Sequence, residues 1–156
     1  MVAQLSLNLP TVRADAELLR RVLVNLIDNA AEAMEGSTVR QLRVATRTCD
    51  DGEGVEIEVS DTGHGISPAD KDRLFLPHFS TKEHGTGLGL AISSRIVAEH
   101  NGSLRVEDNN PVGARFLIRL PTAESAAAVT TPANSAADDS GTFEAQAGFG
   151  TDGTDD

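Results

Sequence analysis

Three groups of residues in this chain have side chains and spacings suited to chemistry. Asn25 and Asn29 lie four apart in a helix-patterned segment, so both stand on one face. Paired carboxamide oxygens there can ligate a hard cation or hold its waters, and the amide N–H groups can touch phosphates. Asp61 follows a strand-like run and opens "DTGHGI". Gly63 and Gly65 permit backbone bends that let a flat ring approach, and the carboxylate can accept from an exocyclic amine, which adenine has. The third group is "STKEHGTGLGL", with Lys82 upstream of Gly85, Gly87 and Gly89. A glycine-rich loop running into a helix presents free N–H groups to an anion, best a phosphate. Lys82 precedes the glycines, so this is not the G-x-x-x-x-G-K-[ST] phosphate loop. Taken singly, each group also suits a blander role: a solvated polar stripe, an ordinary Asp-x-Gly turn, a flexible linker.

The elements that must position these residues are legible from periodicity. "QLSLNL" alternates and predicts a half-buried strand over 4–9. "DAELLRRVLVNLIDNAAEAMEG" predicts a long amphipathic helix with Asp15 as N-cap, Gly36 as stop and an apolar stripe of Leu19, Leu23, Leu26, Ala30 and Met34. "RQLRVATRT" and "GVEIEVSD" predict a hairpin around "CDDGEG". Leu42, Val44, Val55, Ile57 and Val59 are expected on its core side, and Arg43, Arg47, Glu56 and Glu58 on the other. "SPADKDRLF" predicts a short capped helix, "LGLAISSRIVAEHNG" a second long helix ending at Asn101-Gly102, and "SLRVEDN" with "ARFLIRL" a closing strand pair. The expected class is α+β: a two-layer α/β sandwich with a mixed, mainly antiparallel sheet and helices on one face.

Charge and composition set the limits. The net charge of −11 is uneven: residues 122–156 hold seven carboxylates and no Lys or Arg, leaving 13 cations against 17 acids in the remainder. Such a balance argues against nucleic-acid binding. It leaves room for an anionic small molecule, because a few local groups override net charge. The segment 122–156 is rich in Ala, Ser, Thr, Gly and Asp. It is expected to be a disordered acidic tail following a single domain at 1–121. Cys49 is the one cysteine, so no internal disulfide forms. No apolar run approaches ~20 residues, and the N-terminus lacks a signal-peptide pattern. A cytoplasmic chain without membrane contact is expected.

The motifs occur together in the order of a known family. "NLIDNAAEAM" resembles the N box, "DTGHGI" the first glycine box, "LFLPHFSTK" the F box and "GTGLGLAI" the second glycine box of the ATP-binding catalytic domain of sensor histidine kinases. That domain belongs to the superfamily (Bergerat fold) shared with gyrase, the Hsp90 chaperones and MutL, and the phrasing here is similar to nitrogen-regulation-type kinases. The resemblance covers residues 5–121. It implies that Asn29, assisted by Asn25, coordinates Mg²⁺ on the phosphates of ATP. It implies that Asp61 binds the adenine amine, with Gly63, Gly65 and Ile66 shaping the base pocket, and that Phe75 and Phe79 anchor a lid hinge. Thr81, Gly85, Thr86, Gly87, Leu88 and Gly89 would surround the triphosphate, and Lys82 would reach its terminal phosphates.

Departures from the family pattern refine the expectation. Ala114 stands where many relatives carry Ser or Thr, removing a hydroxyl that holds a water to adenine. His78 occupies an F-box position where an aromatic is usual, and reads as a local structural histidine with no catalytic role. Relatives that hydrolyse ATP, and the anti-sigma serine kinases, resemble one another in placing a general-base Glu where this chain has Asn25. The resemblance therefore favours phosphoryl transfer to a histidine over hydrolysis. None of the four histidines is followed by Glu or Asp, so the acceptor is expected on a dimerisation domain supplied in cis or in trans, with a response-regulator receiver domain downstream. The isolated domain is expected to be a monomer. A nucleotide-sensing module that transfers nothing, and an ATPase or serine kinase of the same superfamily, are the competing readings.

Overall fold

The computed structural model describes residues 1–79 and 86–129, the side chains of 127–129 excepted. A five-stranded sheet carries the domain: β1 (Val2–Leu5), β2 (Arg43–Thr48), β3 (Gly54–Ser60), β4 (Ser103–Asp108) and β5 (Ala114–Pro121), in the spatial order β1-β2-β3-β5-β4. β1 runs parallel to β2, and the other three pairings are antiparallel. The expected mixed, mainly antiparallel sheet is what forms. The hairpin register sets Val44 opposite Val59 and Thr46 opposite Ile57 on one face, and Arg47 opposite Glu56 on the other, as the alternation requires.

Helices α1 (Ala16–Ala33), α2 (Pro68–Lys71), α3 (Gly89–Glu99) and α4 (Ala123–Val129) complete the described chain. α1 and α3 cover the apolar face of the sheet. Val22, Leu26, Ala30 and Met34 of α1 meet Ile96 and Val97 of α3 over Val59, Leu104, Phe116, Ile118 and Leu120. Leu26 and Val22 are fully buried. Burial of this kind supplies the main driving force, and truncating such a leucine to Ala costs about 2–5 kcal/mol.

The opposite sheet face is polar and uncovered by the described helices. Arg47 pairs with Glu56 at 2.6 Å and Arg43 with Glu58 at 3.3 Å, while Arg115 pairs with Glu107. The hydrogen bond and charge of Glu56 raise the pKa of the Arg47 guanidinium, so it stays cationic. A cavity of about 470 Å³ opens on this face; neither Asp61 nor any glycine-box residue lines it.

Two expectations are corrected. β1 is not half-buried: all four of its residues are exposed, because it is a sheet-edge strand beyond the cover of α1. It also starts earlier than the alternation over 4–9 suggests. The chain after Pro121 does not at once lose order, because α4 forms over residues expected to be disordered. Thr122 Oγ1 accepts from the Ser125 N–H at 3.1 Å, Ala123 N–H donates to Thr11 O at 2.8 Å, and the run "AESAAAV" has high intrinsic helix propensity. Residues 130–156, which hold the rest of the expected acidic tail, lie outside the described residues.

The two long helices are tied together at the end away from the glycine-rich segment. Asp15 caps α1 by accepting from Glu17 N and Leu18 N at 2.9 and 3.0 Å. Its own N–H donates to His100 Nε2 at 2.9 Å, and His100 Nδ1–H donates to Ile96 O at 2.7 Å. One imidazole thus joins the start of α1 to the end of α3. Replacing it (His100→Ala) is expected to lower unfolding stability by about 1 kcal/mol. Urea denaturation checks this, and an unchanged midpoint would show that the tether carries no energy.

Candidate functional site

The first wall forms where β3 ends. Asp61 is 1% exposed, a costly place for a carboxylate unless it is hydrogen-bonded. Its Oδ1 accepts from Gly63 N at 2.8 Å and from Ala114 N at 3.3 Å. Its backbone is held as well: Asp61 N donates to Ala114 O at 3.0 Å, and Asn109 Nδ2 donates to Asp61 O at 2.7 Å. Oδ2 accepts no hydrogen bond among the described residues. One carboxylate oxygen is therefore locked by two main-chain amides, and the other is left as an acceptor.

Two backbone approaches explain the glycines here. A Cβ on Gly63 would lie 2.3 Å from Ala33 O, so the loop seats directly on the last turn of α1; His64 N donates to the same carbonyl at 3.2 Å. Gly113 has φ +115°, and a Cβ there would lie 1.9 Å from Asp61 O. Gly65 (φ +73°) packs against that Gly113. Thr62 fixes the loop's other flank, donating to Val39 O at 2.8 Å and accepting from Gln41 N at 2.9 Å. Ile66 and Phe75 are partly buried against the core.

The second wall is α1, where Asn25 and Asn29 are both partly buried. Asn25 Nδ2 donates to Ser93 Oγ of α3 at 3.0 Å. Gly89 packs against the Asn25 amide: a Cβ there would lie 2.4 Å from Asn25 Oδ1.

The third side is the stem of the glycine-rich segment. His78 N donates to Gly87 O at 3.0 Å, and a Cβ on Gly87 (φ +64°) would lie 2.5 Å from the His78 carbonyl carbon. The two chain arms that bracket residues 80–85 are thus in contact. His78 itself adopts φ +64° with its side chain exposed. Phe79 is partly buried and lies 4.7 Å, centroid to guanidinium, from Arg73. Thr86 is exposed and Leu88 partly buried. The segment leads into α3, whose N-cap residue Leu88 makes no side-chain cap, whereas α1 and α2 are capped by Asp15 and Ser67. The first amides of α3 therefore have no side-chain cap acceptor, which leaves the positive end of that helix available to an anion.

The structure brings Asp61 together with Gly63 and, through Gly113, with Gly65, and separately brings Asn25 against Gly89; Ile66 packs on the core. Thr81, Lys82 and Gly85 lie outside the described residues. Sequence reasoning missed Asn109, Gly113 and Ser93. Gly113 carried a signal, a glycine just before a strand; Ser93 carried another, a hydroxyl at a core-facing helix position.

These features sit on an α+β fold of a mixed five-stranded sheet with helices on one face, and comparison with known proteins gives its family. The chain belongs to the histidine kinase-, DNA gyrase B- and HSP90-like ATPase family, whose model matches residues 14–124. It is 43% identical over 113 residues to the sensor protein FixL of Bradyrhizobium diazoefficiens, covering 72% of this chain and 22% of that protein. It is 40% identical over 113 residues to the sensor histidine kinase ZraS of Escherichia coli, covering 72% and 24%. Among solved structures, the catalytic domain of histidine kinase ThkA aligns with a TM-score of 0.67 at 30% identity, covering 78% of each chain. Full-length ShkA in complex with AMPPNP aligns with a TM-score of 0.67 at 34% identity, covering 77% of this chain and 25% of that one. The chain therefore spans about a quarter of the length of these curated relatives. No described helix is long and apolar enough to cross a membrane.

The glycine contacts generate a graded expectation. Gly113→Ala should cost several kcal/mol or abolish folding, because its Cβ would overlap the carbonyl that orients Asp61. Gly36→Ala, also at positive φ but with nothing within 4 Å, should cost only about 1 kcal/mol. Chemical denaturation of both variants checks the order, and equal costs would contradict the close-approach assignment.

Proposed function

We propose that this chain is the ATP-binding catalytic domain of a two-component sensor histidine kinase, transferring the γ-phosphoryl group of Mg-ATP to a histidine on a dimerisation domain. The observation that carries the reading is Asp61: a buried carboxylate with Oδ1 committed to Gly63 and Ala114 and Oδ2 without a donor among the described residues. An acceptor so placed matches the exocyclic amine of adenine and opposes the carbonyl of guanine. Gly63, Gly65 and Ile66 border the base, with Phe79 at the hinge side. The α3 amides, with Gly85, Thr86, Gly87, Leu88 and Gly89, take the phosphates, and Lys82 adds a cation at the terminal one.

The donor chemistry fits a hard metal ion. Asn25 and Asn29 offer neutral carboxamide oxygens, and no group of three His, Cys, Asp or Glu among the described residues could hold a metal alone. A cation in this cleft would share its ligands with phosphate oxygens. Mg²⁺, when bound, neutralises the phosphate oxygens during in-line transfer. The chain's own contribution is to position: Asp61 fixes the base, the glycine-rich segment excludes water, and the carboxamides orient the metal-bearing phosphates. Asn25 cannot take a proton at neutral pH, so water is poorly activated and hydrolysis by the domain alone is slow. The acceptor histidine, in cis or in trans, brings its own basicity, and a response-regulator receiver domain takes the phosphoryl group next. The domain acts as a cytoplasmic monomer unless joined to its dimerisation partner.

Two measurements test this. Asp61→Asn must point its carbonyl at the two backbone donors, which turns an amide N–H₂ toward the base. ATP affinity should fall at least about tenfold, roughly one lost charged hydrogen bond, with preference over GTP erased. An unchanged preference would refute the base-pocket assignment. Mixing the chain with labelled ATP and a sensor-kinase dimerisation domain should yield acid-labile phosphohistidine. Rapid steady-state hydrolysis without an acceptor would place the chain with the ATPases instead.

A further inference from the structure

We propose that Ser93 is a positioning residue. Its buried hydroxyl holds the Asn25 carboxamide with Oδ1 turned toward the first turn of α3, so that the oxygen is preset for the phosphate-bound metal. The inference rests on the nucleotide reading above and concerns a residue outside the four sequence boxes that matter to it most.

Ser93 is 2% exposed and shares its helix face with Ile96 and Val97, both in the core. An apolar side chain is the ordinary occupant of such a position, because a buried hydroxyl costs free energy unless it is hydrogen-bonded. Among the described residues its hydrogen bond is with Asn25 Nδ2, at 3.0 Å. The other end of the same amide is set by Gly89, one helical turn before Ser93: a Cβ there would lie 2.4 Å from Oδ1 and 3.3 Å from Nδ2. The amide is therefore hydrogen-bonded to one residue of α3 and packed against the residue one turn before it.

Electrostatics favours this orientation over its flip. Oδ1 lies at the N-terminal end of α3, where the partial positive charge of the helix stabilises an oxygen and opposes an N–H₂ group. A cation ligand must present that oxygen. Without the Ser93 acceptor the amide rotates freely between ligating and non-ligating orientations, and binding must fix it.

The test uses the full 156-residue chain and ATP, with affinity measured in excess Mg²⁺ and in EDTA. Ser93→Thr keeps the hydroxyl and Ser93→Val replaces it at equal volume, so packing cancels between them. Ser93→Val and Ser93→Ala are expected to lose about five- to tenfold of the Mg²⁺-dependent gain in affinity, the weight of one hydrogen bond. Their affinity in EDTA should be unchanged, and Ser93→Thr should stay within about twofold of the natural chain. Equal behaviour of the Thr and Val variants, or a full Mg²⁺ gain in both Val and Ala, overturns the proposal. Should Ser93→Val fail to fold in a melting experiment, Ser93→Ala against the natural chain decides. Asn25→Ala is the control for the underlying reading. If it loses the gain while the Ser93 variants keep it, only the positioning role falls. If Asn25→Ala keeps the gain, the metal role of Asn25 falls and the positioning role with it.

Discussion

The most deeply buried carboxylate among the described residues, Asp61, organises the candidate site. Asp61 sits where β3 leaves the sheet, and its desolvation must be compensated inside the protein. Two amides on one oxygen supply part of the compensation. They can do so only because Gly63 lies against the carbonyl of Ala33 and Gly113 lies against the carbonyl of Asp61. The first loop, the last turn of α1 and the β4–β5 turn are thereby fixed relative to one another. In the proposed function the remaining oxygen is the reading head for the base.

The sheet and helices also hold a second polar arrangement, between α1 and α3. α1 packs Val22, Leu26 and Ala30, with its C-cap Met34, on the sheet, which leaves Asn25 at its border with α3. α3 contributes core residues at one end and, at the other, a helix start without a side-chain cap. The His100 bridge fixes the helices' far ends. The contact of Gly89 with Asn25 sets the start of α3 against the middle of α1. The stem of the glycine-rich segment is closed by the His78–Gly87 hydrogen bond.

Much of this was legible in the residues. Helix periodicity located α1 and α3, and strand alternation sorted Val44, Ile57 and Val59 from Arg47 and Glu56. The box spacing identified the family. The failures have physical reasons. Alternation in β1 reports which side chains share a face, but not whether anything covers that face, and at the sheet edge nothing described does. Composition after Pro121 spoke against a core, yet alanine propensity, the Thr122 cap and the backbone bond to Thr11 favour α4 where the chain leaves β5. Gly113 and Ser93 went unread because their roles are relations between distant segments. The strand pairing that brings residue 113 beside 61, and the helix packing that brings 93 beside 25, appear only in three dimensions.

The claim that matters most is that both walls close on one nucleotide. Titrating the chain with a fluorescent ATP analogue in the presence of Mg²⁺, then displacing it with unlabelled ATP or GTP, addresses it directly. Saturable binding that ATP displaces and GTP does not is the predicted result. Absence of saturable binding with Mg²⁺ present, or displacement by both nucleotides alike, would contradict the account.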